Sequence, residues 1–417
     1  MRIIKRSTVL GWVLLLLFTL SSESGFAQHQ PQGETAETNA PLALKDGDRV
    51  VFVGNSLFEN DLPYGYLELA LTTRWPHVHA TYRNIGWTGD TVWGEARGYI
   101  SPPSHYALLV EQLTEAQPTV VFIAYGAIEA LEGEAGLPRF SQGLNQLLDQ
   151  IDQLGAKAIL LSPLPSLAAA SAEDAAMRNT MLERYAAAIT KTASERGKQY
   201  IDIFTPFQVR NDKQHLSDNG LHLNETGYHF LASTIEKGLG LAPRQESFTI
   251  NLAKNAAEAT APAKILDTGK NKAILTFTLN EGYLPLPLPE QAEGTAAASG
   301  QVLKIAGLKK GLYTLTAYDS QVITASAKEW KEGVAIRQGA LYSQAEQLRE
   351  KINKKNELFF HQYRPLNKTY ISGFRSYEQG RHAKGLEDLS IIITWIEGRI
   401  ALNRLPKPVV YHLTPVK

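Results

Sequence analysis

Arg49-Val50-Val51-Phe52-Val53-Gly54-Asn55-Ser56 runs through four apolar residues without interruption and then stops on a glycine, an asparagine and a serine. A strand with one face in water alternates apolar and polar positions, whereas a run apolar at every position suits a strand covered on both faces, as in a parallel sheet. The stretches 120–123 (Val-Val-Phe-Ile), 158–161 (Ala-Ile-Leu-Leu) and 200–203 (Tyr-Ile-Asp-Ile) share this texture. Helical patterns fall at 64–74, 106–116, 139–154, 178–196 and 226–239. Strands alternating with helices of that length predict parallel βαβ units and a sheet sandwiched between helices, an α/β domain over residues 43–242. Ser56 then stands at the carboxyl end of the first strand, where open parallel sheets build their ligand crevices.

Outside this domain the texture changes twice. Before it, Arg2, Lys5 and Arg6 precede the apolar run 9–20, and small residues lead to Ala27. The pattern predicts an export signal over 1–27, cleaved near Ala27, then a polar spacer over 28–42. The run of about 12 apolar residues is short of the roughly 20 that span a bilayer, so the mature chain is expected without a transmembrane segment, in the periplasm or outside the cell. After Pro243, period-two stretches at 274–279, 302–305 and 313–318 predict a small β-rich domain over 243–327. Residues 328–417 read as a helical and aromatic region: Leu341, Ala345, Leu348, Ile352 and Leu358 recur near helical spacing between Gln338 and about Phe360. The apolar run 391–396 is too short to cross a bilayer and is expected to pack on a core or against a partner.

The 417 residues hold 42 Lys and Arg against 42 Asp and Glu, so no net field draws the molecule to nucleic acid, and a small or neutral ligand fits better. There is no cysteine. Thiolate nucleophiles, zinc-thiolate sites and disulfides are thereby excluded, and a nucleophile must be oxygen or nitrogen. Oligomeric state is not legible.

Four segments carry candidate chemistry. Gly54-Asn55-Ser56 offers a hydroxyl at a strand end. A serine becomes a useful nucleophile beside a base that a carboxylate orients, and Leu216-Ser217-Asp218-Asn219-Gly220-Leu221-His222-Leu223-Asn224 places Asp218 and His222 on one turn-rich loop. In Asn84-Ile85-Gly86-Trp87-Thr88-Gly89-Asp90-Thr91, Gly89 lets backbone N–H groups approach a substrate oxygen, and Asp90 reads as a cap on the segment that follows. The fourth piece is Ala124-Tyr125-Gly126-Ala127-Ile128-Glu129.

In this order the four pieces resemble the blocks of the SGNH or GDSL esterase and lipase family, over about residues 46–241. Gly54-Asn55-Ser56 is similar to its Gly-Asp-Ser block, Gly89 to its second-block glycine, and Asp218 to His222 to its Asp-X-X-His block. The resemblance implies a flavodoxin-like three-layer fold, no metal and no cofactor. It also implies Ser56 as nucleophile, His222 as base, Asp218 as orienting acid, and an oxyanion or substrate site near Gly89 and Gly126. Three departures stand out. Asn55 replaces the family's aspartate. Ile128 takes the place of the third-block asparagine that donates to the oxyanion. The residue three before His222 is Asn219, with the carboxylate of Asp218 one position further away. The expected activity is cleavage of an acyl ester, acetyl being one candidate, on a small molecule or carbohydrate; the competing expectation is a binding protein of the cell envelope that keeps the fold but has lost turnover. The stretches 355–365 and 370–375, rich in aromatics and cations, resemble a C-terminal segment of a secreted bacterial branch of the family, fit either to stack sugars, to hold another protein or to dock the tail on the catalytic domain.

Overall fold

The computed structural model describes residues 41–98, 104–167, 172–244, 247–252, 258–260, 263–269, 274–279, 282–289, 301–365, 377 and 381–416. The expected export signal and nearly all of the spacer lie outside them.

Strands β1 (Arg49–Gly54), β2 (Thr81–Asn84), β3 (Val120–Ala124), β4 (Lys157–Leu161) and β5 (Gln199–Ile201) form one sheet in the order β2-β1-β3-β4-β5. Every pairing in it is parallel, with Val50 opposite Val120 and Phe52 opposite Phe122. From Val50 onward β1 is buried at each position. Its alternate residues feed two separate layers: Val50 and Phe52 join one apolar cluster, Val51 and Val53 the other. Phe52 meets Phe58 and Phe122 with ring centroids 5.3 Å apart on one side. On the other side α4 (Leu137–Gln153) lays down Phe140, Leu144, Leu147, Leu148 and Ile151, the i, i+4, i+7, i+8 stripe of a helix with one buried face. This is the α/β sandwich that the continuous apolar runs demand, since each such strand needs cover on both sides. Helix α5 (Ala172–Glu195) starts six residues before the expected 178.

Two further sheets follow. One has the order β13-β10-β6-β7 and includes β6 (Ser247–Asn251), β7 (Glu258–Ala259), β10 (Gln301–Ala306) and β13 (Val334–Ile336); the other has the order β12-β11-β14-β9-β8 and includes β8 (Ala263–Asp267), β9 (Leu275–Leu279), β11 (Leu312–Ala317), β12 (Ser320–Ser326) and β14 (Val409–Pro415). The last strand lies between β11 and β9 and pairs antiparallel with both. The sequence boundary at 327/328 therefore cuts across strands that pair.

Between β13 and β14 the chain forms two long helices, α9 (Ala340–Tyr363) and α10 (Arg381–Asn403). Buried Lys355 of α9 donates to Glu68 Oε2 at 2.7 Å and to Tyr82 O at 2.9 Å, and Asn356 reaches the same carboxylate. Glu68 lies on α2 (Tyr66–Arg74), so α9 is pinned to the α/β sandwich by a buried ion pair; losing one partner of such a pair costs about 3–5 kcal/mol. The run 391–396 is helical: Ile393 and Ile396 face a core, while Ile391 and Trp395 are exposed. Among the described residues no helix is long and apolar enough to cross a membrane.

Candidate active site

Gly54 ends β1 because nothing larger fits: a Cβ there would meet Ala124 O at 2.5 Å. Asn55 then caps the short helix α1 (Ser56–Glu59), its Oδ1 accepting from Leu57 N at 3.1 Å. A neutral amide caps a helix as well as a carboxylate does, so the exchange of the family's aspartate for Asn55 leaves Ser56 in place. No hydrogen bond inside the protein engages the N–H of Ser56 or of Gly89 among the described residues. Gly89, at φ +78° in an exposed turn, has nothing within 4 Å of a would-be Cβ.

The neighbouring aspartate does more than cap. Asp90 is fully buried, and its carboxylate accepts from Arg97 Nε at 2.7 Å, Tyr125 OH at 2.9 Å and Ala96 N at 3.3 Å. Arg97 in turn donates to Gln112 Oε1 and to Ile85 O. Every strong donor and acceptor of this buried pair is engaged, which is what allows charge inside a core.

Gly126 lies elsewhere than its sequence position suggested. Its N–H donates to Glu129 Oε2 at 2.8 Å, and a Cβ on it would point at Ile189, Phe140 and Tyr185, inside the core. It is thus turned away from the cavity and has no N–H to offer an oxyanion. Glu129, which the sequence did not single out, is buried and also accepts from Val92 N at 2.9 Å. Burial pushes its carboxyl up to about 7 against the pull of the two backbone donors.

The loop before α7 (Glu225–Gly238) carries the candidate base. Gly220 turns it at φ +75°, and Ser217 and Leu223 bridge its base. Asn219 Nδ2 lies 3.3 Å from His222 Nδ1. The orienting place expected of Asp218 is therefore occupied by Asn219: the turn aims the side chain three residues before the histidine at the ring, while Asp218 Oδ1 accepts from Asn224 Nδ2 at 3.0 Å. The amide's orientation has a cause as well, because Asn219 Oδ1 already accepts from the N–H groups of Leu221 and His222 at 2.9 and 2.8 Å. Its NH₂ must face the ring, so Nδ1 accepts and the ring proton sits on Nε2. A carboxylate would hold the other tautomer, the one in which Nε2 is free to take a proton.

Ser56, His222 and Ile128 line one cavity of about 630 Å³. The strand ends of β3 and β4 and the start of α5 build it, with Pro163, Leu164, Met177, Met181 and Leu182 in the wall and Asn60 one turn along α1 from Ser56. Leu131, Met177 and Leu221 are largely exposed where they line it. No hydrogen bond joins Ser56 to His222 among the described residues, and no group of acidic or histidine side chains there could hold a metal ion.

Residues 52–230 match the model of the GDSL-like lipase/acylhydrolase family, and this part of the chain is a GDSL-like α/β domain. No curated protein matches the sequence. Among solved structures, a gut microbial diltiazem-metabolizing enzyme is similar over 91% of this chain and 100% of its own, at 18% identity and a TM-score of 0.69, so its fold extends through the two β sheets and the C-terminal helices. A catalytic mutant of an acetylxylan esterase from Geobacillus stearothermophilus (17% identity, 48% of this chain, 98% of that one, TM-score 0.39) and a GDSL-like lipase from Bacteroides thetaiotaomicron (18%, 46%, 88%, 0.36) are similar over about half of this chain.

Proposed function

We propose that the chain is an exported serine hydrolase that cleaves acyl esters through an acyl-enzyme. The observation that carries this reading is the convergence of Ser56, at the end of β1, and His222, before α7, on one cavity. Ser56 Oγ attacks the ester carbonyl and gives its proton to His222 Nε2 in the minor tautomer whose own proton stands on Nδ1; His222 passes it to the departing alcohol, and water then repeats the sequence on the acyl-serine. The free N–H groups of Ser56 and Gly89 hold the oxyanion. The aliphatic wall favours an ester whose apolar part fills the cavity, because the hydroxyls of a sugar ring would find few partners among leucines, methionines and prolines.

Two observations favour a second reading, a ligand-binding protein with residual turnover: Ile128 where an oxyanion donor is expected, and Asn219 in place of a carboxylate. The experiment that separates them is hydrolysis of p-nitrophenyl acetate, p-nitrophenyl hexanoate and acetylated xylan by the mature chain beside Ser56→Ala and His222→Ala. Turnover of the p-nitrophenyl esters, greater for hexanoate and falling to background in both variants, is expected. Turnover indifferent to Ser56 would sink the hydrolase.

A further inference from the structure

The turn that carries Gly89 is held from a distance of nearly three hundred residues along the chain. Tyr363, the last residue of α9, donates its hydroxyl to Gly86 O at 2.9 Å. Arg364, the next residue, lies over the Trp87 ring with its Cζ 3.8 Å from the centroid. Buried Arg97 also lies over that ring, with its Cζ 5.5 Å from the centroid, so two guanidinium groups pack against one indole. Arg364 Nη1 also pairs with Glu59 Oε1 at 3.0 Å, and the other oxygen of that carboxylate accepts from the N–H of Thr88. Glu59 ends the short helix that Ser56 begins.

Three consecutive residues before Gly89 are therefore fastened to the end of α9: Gly86 through Tyr363, Trp87 through Arg364, and Thr88 through Arg364 and Glu59 together. Further back on α9, Arg349 pairs with Glu225 at 2.6 Å, in the first turn of the helix that follows His222, and Asn353 donates to Pro63 O at 2.9 Å. One helix thus touches the segments after Ser56, before Gly89 and after His222. Lys355, buried between these two ends, fixes its height on the sandwich.

We propose that α9 is a working part of the active site rather than a separate tail, and that Arg364 is a positioning residue that sets where the Gly89 N–H stands relative to Ser56. The proposal rests on the hydrolase reading for its catalytic consequence, but not for the strap itself. A misplacement of about 1 Å in a reacting geometry lowers turnover by up to about a hundredfold, while binding of the substrate's apolar part in a cavity that α9 does not line is left alone.

The test is Arg364→Ala in the full mature chain, with Arg364→Lys beside it, read by p-nitrophenyl ester kinetics and by hydrogen exchange of the amides of residues 86–91. Expected are a kcat lower by roughly tenfold or more with KM within about twofold, and faster exchange at Thr88 and its neighbours. Arg364→Lys should fall between, since it keeps a charge for Glu59 but loses the flat stacking on Trp87. Should Arg364→Ala fail to fold, Tyr363→Phe removes only the hydroxyl on Gly86 and is read in the same way. Unchanged exchange overturns the proposal, and so does faster exchange with kcat undiminished. A wild-type chain that turns over no ester and whose Ser56 takes no fluorophosphonate label defeats the hydrolase reading instead, and the exchange measurement still decides whether the strap exists.

Discussion

The turn after β2 and the loop before α7 are assigned to the same serine but are built in opposite ways. The turn is over-determined: Trp87 N–H bonds back to Gly54 O at 2.9 Å, Asp90 is locked into a buried network with Arg97 and Tyr125, and the end of α9 holds Gly86 and Trp87 directly and Thr88 through Glu59. The loop is exposed at Asp218, Asn219 and His222, and among the described residues the histidine ring makes one hydrogen bond, to the Asn219 amide at 3.3 Å. The side that must hold a developing charge is rigid, while the side that must move a proton is loose and faces an amide instead of a carboxylate. Preorganised donors act by standing still, so on the proposed reading the turn has the rigidity that an oxyanion site needs. On the same reading the base side presents Asn219 to the ring where a carboxylate would fix the productive tautomer.

That contrast predicts a gain of function. In a serine triad, exchanging the orienting carboxylate for an amide costs about 10⁴ in turnover because the histidine is held in the wrong tautomer. Asn219→Asp should reverse part of this loss, raising kcat by roughly 10²–10⁴ with little change in KM. The same variant should show a new acidic limb in its pH–rate profile. Asp218→Asn, measured alongside, should change kcat less than about threefold, because that carboxylate sits on Asn224. If Asp218→Asn abolished turnover while Asn219→Asp did nothing, Asp218 would be the orienting residue and the comparison between turn and loop would break.

A smaller gain is expected on the rigid side. Ile128 lines the cavity at the place where a donor is missing, and one oxyanion donor is worth about 10²–10³ in turnover. Ile128→Asn should raise kcat by roughly 10², provided that its amide reaches the oxygen held by Ser56 and Gly89. Steady-state kinetics on p-nitrophenyl acetate measure this directly. No gain would mean that the vacancy is already filled, and Asn60, which lines the same cavity and caps the end of α1, is the side chain to remove next.

How far the sequence could be read follows from which signals are local. The run through β1 announced a doubly covered strand because burial of every residue is written into four successive apolar positions, and Gly54-Asn55-Ser56 marked its end. His222 was legible for the same reason, as part of a compact turn. Asn219 was not assigned to the ring, because whether the residue three or four before a histidine faces it depends on how Gly220 bends the loop. Gly126 looked like a backbone donor and proved to spend its N–H on Glu129, a buried carboxylate that nothing in the local pattern marks. Strand β14 was missed, and helix α10 was expected only as part of a helical region without bounds of its own, on different grounds. The first is defined by pairing with strands about 100 and 130 residues earlier, and the second is broken up by Gly385, Gly398 and the β-branched run 391–394, which lower helix propensity. The strap of Arg364 on Trp87 joins two segments that no sequence window contains.

Glu129 gives the least effect and tests the rigid side by itself. It ties the end of β3 at Gly126 to Val92, just beyond the Gly89 turn, through two backbone N–H groups. Its carboxyl, ordinarily near 4.5, is pushed up to about 7 by burial. The folded chain therefore holds this proton more tightly than the unfolded chain does, and between about pH 4.5 and 7 it binds more protons than the unfolded state. Stability must then fall as pH rises through that window: the contribution is complete below about pH 4.5 and is lost above about 7, amounting to at most about 3 kcal/mol. Urea unfolding at pH 5 and pH 8 should show this drop in the wild-type chain and a flatter response in Glu129→Gln, which cannot ionise. The level of stability in the variant will itself be lower, since one of the two N–H groups then faces an amide donor, so the slope and not the level is the quantity to compare. Equal slopes in the two proteins would place the titration elsewhere and would mean that the rigid side stays fastened by an ionised carboxylate across the whole neutral range.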